Sequence, residues 1–132
     1  MDAKLREFVR ERAGQRCEYC RLPQTFSELR FHIEHVIPRQ HQGGDTADNL
    51  ALACPACNLH KGTNLTGVEP DTGQVVSLFH PRRDQWEEHF VFEGVRIVGR
   101  TPKGRTTAWL LDMNDATSLR IRVVLHALGE LD

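Results

Sequence analysis

Cys17 and Cys20 form one Cys-x-x-Cys pair, Cys54 and Cys57 form a second, and these four are all the cysteines of the chain. Thiolate sulfur is the usual ligand of structural zinc, and two such turns supply four ligands with no position left for water. The pairs are 33 residues apart. An ion held by both therefore closes a sizeable loop, and its binding energy is also folding energy. Between and beside the pairs stand Glu34, His35, Asn49 and Asn58. Carboxylate and amide oxygens suit a hard cation such as Mg²⁺ or Mn²⁺. A neutral imidazole accepts a proton near pH 7, which a carboxylate of ordinary pKa does poorly. Arg39 and Lys61 lie in the same stretch and are candidates for contacts to backbone phosphate.

The surrounding elements must position these groups. Residues 4–13 read as a helix, with Leu5, Phe8, Val9 and Arg12 in a helical rhythm and Gly14 as its stop. The Cys17–Cys20 segment makes a tight turn. Residues 30–37 read as a strand with Phe31, Ile33, His35 and Ile37 on one face, ended by Pro38. Adjacent strand residues face opposite ways, so Glu34 and His35 serve one phosphate only if the strand ends or distorts there. Residues 39–48 form a loop, Asn49 to Ala53 a short return strand, and Cys57 to Lys61 a helix closed near Gly62. Beyond it, residues 63–74 read as loop and residues 78–89 as an irregular connection into a short helix. Residues 90–99 form a hairpin turning at Glu93-Gly94, and residues 105–113 a helix stopped by Asn114. Residues 117–128 fit both a strand and a helix, and their length favours helix. Trp86 and Trp109 are expected in the core.

The segment from His32 to Gly62 resembles the HNH endonuclease family. The resemblance rests on Ile33-Glu34-His35-Val36-Ile37-Pro38, Gly43-Gly44, Asn49-Leu50, Cys54-Pro55-Ala56-Cys57-Asn58 and Lys61-Gly62. It implies an α+β fold: a small ββα-metal core with a four-cysteine zinc site, an N-terminal helix and a C-terminal hairpin and helix extension. One domain over residues 1–132 is expected, with the core at about 14–65 and the extension at about 66–132. The resemblance makes His35 the general base, places a catalytic Mg²⁺ or Mn²⁺ on Glu34 and Asn58, and has Asn49 brace the loop and orient His35. Asn58 replaces the final histidine of the motif, and many members carry Asp where this chain has Glu34. The implied reaction is hydrolysis of DNA phosphodiesters, by nicking or cutting, to 5′-phosphate and 3′-hydroxyl ends. The alternative is a non-catalytic zinc-stabilised module that binds nucleic acid or protein.

Composition narrows the classes. Of 132 residues, 39% are hydrophobic and 27% charged, as in an ordinary globular domain. A formal net charge of −1 argues against a large sequence-independent grip on a polyanion, but a local basic cluster acts within its own Debye length. Arg39, Lys61, Arg82 and Arg83 are candidates for one. No apolar run is long enough to span a bilayer. The first residues, MDAKLREFVRERAG, contain no apolar signal core. A cytoplasmic protein, monomeric or homodimeric, is the expectation. No element with base-reading side chains is evident, so the target is not specified.

Overall fold

The structure is a computed structural model and describes residues 1–131. The fold is mixed α+β, and the chain groups into two compact units. The first comprises Met1–Leu65 with His80–Asp84, and the second Thr66–Phe79 with the chain from Gln85 onward.

In the first unit, helix α1 spans Ala3–Arg12 and starts where Asp2 Oδ1 accepts the Leu5 amide at 2.8 Å. Val9 is its buried contact, and Leu5 is half-buried. Phe8, expected on the inner face, is exposed and carries the Arg12 guanidinium 5.1 Å from its ring centre. Arg12 also donates to the carbonyls of Ala47 and Leu50 at 2.9 and 2.7 Å, which ties α1 to the start of the next strand pair. Strand β1 spans His32–His35 and runs antiparallel to β2, Leu50–Ala53, with His32 opposite Ala53 and His35 opposite Leu50. β2 is buried throughout. Helix α2, Pro55–Lys61, starts two residues earlier than expected. Cys54 Sγ accepts the Cys57 amide, and Pro55 needs no partner at the first helical position. Gly62, at φ +51°, ends it.

β1 departs from its sequence pattern. The strand is four residues long rather than eight, and its buried member is Glu34. Burial alternation continues at Val36, while His35 and Ile37 stay half-buried. The pattern of apolar odd positions is overridden because Lys61 brings a counter-charge inside for Glu34.

In the second unit, β3 (Thr66–Val68), within the expected loop of residues 63–74, pairs antiparallel with β4 (Val75–Ser77). Three residues are too few to show a period of two, so the ladder leaves no trace in the pattern. Helix α3, Trp86–His89, leads into the hairpin of β5 (Phe90–Glu93) and β6 (Arg96–Gly99), which turns at Gly94 as expected. Helix α4 spans Pro102–Leu110 and begins three residues early. Thr101 Oγ1 accepts the Gly104 amide at 3.0 Å, and Pro102 stands at the first position. A Cβ on Gly104 would lie 1.9 Å from the His89 carbonyl oxygen, so only glycine fits there. Helix α5, Ala116–Ala127, is capped by Asp115, whose side chain accepts the Ser118 amide at 2.7 Å.

Phe79, Trp86, Phe90, Ile97, Leu111, Met113 and Leu125 form the core of this unit. Phe79 and Phe90 meet edge-on at 5.2 Å, and Trp86 stacks obliquely on Phe90 and Phe92. Trp109 is 71% exposed, contrary to expectation, because α4 buries the face bearing Gly104, Thr106 and Thr107 instead. Among the described residues, no helix is long and apolar enough to cross a membrane.

Candidate active site and metal centre

The two cysteine pairs meet in the first unit. Their four sulfurs lie within 4.8 Å of one another, and Cys20 Sγ is 3.7 Å from Cys54 Sγ. A tetrahedron of zinc–sulfur bonds has edges of about 3.8 Å. The residues present therefore fit zinc. The Cys20 and Cys57 amides point at Cys17 Sγ and Cys54 Sγ at 3.5 and 3.4 Å, an arrangement that favours thiolate. Hydrogen bonds from Cys17 and the other thiols hold Cys54 far below the ordinary thiol range, and the same contacts raise Cys20 and Cys57. Backbone bonds anchor the first turn to the strand pair: the Glu18 amide donates to Leu52 O, and Glu18 Oε2 accepts the Leu52 amide, both at 2.8 Å. Arg82, offered by the sequence for a phosphate cluster, is ion-paired with Glu18. Arg83 is exposed.

His35 ends β1 with its side chain 19% exposed. Its Nε2 lies 2.6 Å from Asp45 Oδ1. Arg39 Nη2 holds both oxygens of that carboxylate, at 3.0 and 3.1 Å. Hydrogen bonds from His35 and then Arg39 lower the Asp45 pKa to about 2, so the group is an anion at neutral pH. An anionic partner accepts, which assigns the proton to Nε2 and leaves Nδ1 as the basic nitrogen. Asp45 escaped the sequence reading. It is an acid in a polar loop after Gly43-Gly44, and nothing local says that the loop folds back onto His35.

Asn49 makes that return possible. Its Oδ1 accepts the Ile37 amide at 2.9 Å, and its Nδ2 donates to Ile37 O and Gly44 O at 3.0 Å each. Gly43 passes so close that a Cβ would lie 1.6 Å from Ile37 O. One buried amide thus clamps both ends of the loop that carries Arg39 and Asp45.

Glu34 and Lys61 are placed elsewhere. Glu34 is 7% exposed and Lys61 1%. Lys61 Nζ lies 2.6 Å from Glu34 Oε1 and donates to Val36 O at 2.9 Å. The buried Tyr19 side chain interacts electrostatically with the same carboxylate. Burial raises the Glu34 pKa, opposed by Lys61 and Tyr19. Lys61 is therefore not at a surface where phosphate can reach it, which corrects the expected phosphate contact. Asn58 sits half-buried in α2, beside Cys57. As arranged, Glu34 and Asn58 do not form an open cation site, because the ammonium already neutralises the carboxylate. Among the described residues, the four cysteines are the one group of three or more His, Cys, Asp or Glu side chains placed to share an ion.

No curated protein and no solved structure matches the chain. A family model does match, over the stretch that runs from Cys17 to just past α2: residues 17–64 fit the model described as HNH endonuclease.

Proposed function

We propose that the protein hydrolyses phosphodiester bonds in DNA, with His35 as general base. The observation that carries this reading is the His35 imidazole, one-fifth exposed and fixed through Nε2 by the Asp45 carboxylate inside an HNH match. Nδ1 takes a proton from water, the water oxygen forms the new bond to phosphorus, and the bond to the 3′ oxygen breaks. The departing 3′ oxygen takes a proton from solvent, and a 5′-phosphate and a 3′-hydroxyl result. Asn49 positions the loop, and Arg39 is near enough to the dyad to contact a phosphate. In this reading a Mg²⁺ or Mn²⁺ ion would neutralise charge on the leaving oxygen. Glu34 becomes available to an ion only by giving up Lys61.

The test is plasmid cleavage in Mg²⁺ and in Mn²⁺. His35→Ala should lose at least about a hundredfold in rate relative to wild type. Equal cleavage by the two proteins would remove His35 from the mechanism.

One observation favours a second reading, a zinc-stabilised binding module without catalysis: the closed Glu34–Lys61 pair. In that case wild type binds DNA or protein, and neither metal elicits any nicking.

A further inference from the structure

The arginines singled out by the sequence are not those the structure gathers. Arg6 and Arg10 stand one turn apart on α1, and Arg30 stands just before β1. All three line one open cleft of about 830 Å³ in the first unit. Arg6 and Arg30 are exposed, and none of the three has a carboxylate within ion-pair distance among the described residues. Arg10 Nε is buried with no acceptor, a cost that a ligand oxygen would relieve. Burial, then Arg30 and Arg6, lowers the Arg10 pKa, so the three charges feel one another.

The cleft runs beside β1. His32 lines it, about 10 Å along the strand from His35 and on the opposite face of β1. Met1 lines it too, and its nitrogen lies 3.7 Å from Asp45 Oδ2, the carboxylate that holds His35.

We propose that this α1–β1 cleft binds the sugar–phosphate backbone of a nucleic acid and leads it to His35. Guanidinium groups match phosphate oxygens in paired N–H geometry, and unpaired arginines gathered in a groove suit a repeating anion. Recognition here is independent of base sequence. The destination of the strand rests on the nuclease reading, whereas the binding surface does not. Glu7 and Glu11 line the same cleft and hold its charge down, which explains how a basic site persists in a chain of net charge −1.

The experiment measures binding of a fluorescein-labelled mixed-sequence duplex to the full zinc-loaded chain carrying His35→Ala, across a salt series. Adding Arg6→Ala and Arg30→Ala should weaken binding about tenfold or more near 0.1 M salt and flatten the log–log salt slope by about two. Lys4→Ala removes the same charge from α1 outside the cleft and should leave the slope nearly unchanged. Glu7→Gln with Glu11→Gln should tighten binding, a gain that misfolding cannot produce. Unchanged affinity and slope in the double arginine variant, or equal losses with Lys4→Ala, would overturn the proposal. Absence of duplex binding by the parent protein overturns it as well. Plasmid cleavage by the chain with His35 intact reports separately on the nuclease reading. Cleavage with no effect of the arginines sinks the cleft alone. Arginine-dependent binding with no cleavage sinks the nuclease alone.

Discussion

Each unit pins an isoleucine backbone with an asparagine, and the two clamps match almost atom for atom. In the first, Asn49 accepts from Ile37 N at 2.9 Å and donates to Ile37 O at 3.0 Å. In the second, Asn114 makes the same pair of bonds to Ile97, both at 2.8 Å. Each unit also buries a glutamate against a base: Glu34 with Lys61, and Glu69 with Arg105. These devices are structural wherever they occur. An asparagine clamp near His35 is therefore not evidence of catalysis by itself. What sets the first unit apart is the sulfur cluster and the His35–Asp45 pair, for which the described residues of the second unit offer no counterpart. The second unit relies instead on an aromatic core.

The largest expected effect tests that division. Structural zinc sites contribute about 10 kcal/mol or more to folding. Chelating the zinc, or Cys54→Ser, should abolish amide-exchange protection in β1 and β2. Both tryptophans of the chain, Trp86 and Trp109, lie in the second unit, so their fluorescence should hardly change. A coincident tryptophan transition would show instead that the units fold as one.

A smaller effect separates the two buried glutamates. Lys61→Met leaves the Glu34 carboxyl buried without its counter-charge, and breaking a buried pair on one side costs about 3–5 kcal/mol. Adding Glu34→Gln should restore most of that stability, as read by urea unfolding. Arg105→Met should cost less, because Glu69 Oε2 still accepts the Thr72 and Asp71 amides. Equal losses at the two sites would mean that the turn amides do not compensate.

The sequence exposed local chemistry well and long-range pairing poorly. The cysteine spacing announced the four-cysteine cluster, and the run from His32 to Gly62 announced the HNH match, because spacing along one chain survives without knowledge of packing. Helix α5 was visible through its length and periodicity. The early start of α4 was also readable, since Thr101-Pro102 is a cap followed by a favoured first residue, but the apolar pattern drew the boundary later. From sequence, Lys61 reads as a candidate phosphate contact because lysine is almost never fully buried unless paired. Its partner, Glu34, lies 27 positions away and reads as a metal ligand. Asp45 and the arginines of the α1–β1 cleft were hidden for the same reason: each matters through a neighbour distant in sequence.

The smallest effect concerns pH in the second unit. Glu69 is fully buried, at 0% exposure. Burial pushes its pKa up, but Arg105 and the Thr72 and Asp71 amides pull it further down, to a net value below the ordinary 4.5. The folded state therefore binds this proton more weakly than the unfolded chain. The stabilisation is fully present above pH 4.5 and is lost as pH falls toward the lowered folded value. Glu34 shifts the opposite way, because there burial outweighs its partners. Urea unfolding followed by tryptophan emission isolates the Glu69 effect from the zinc thiolates of the first unit. Asp71, 3.2 Å from Arg105, shares that arginine with Glu69, so the comparison is made in an Asp71→Asn background. There the parent should exceed Glu69→Gln in midpoint at pH 7, and the gap should narrow below pH 4.5. A gap independent of pH would mean that Glu69 stabilises the turn by shape and hydrogen bonding, with its charge contributing nothing.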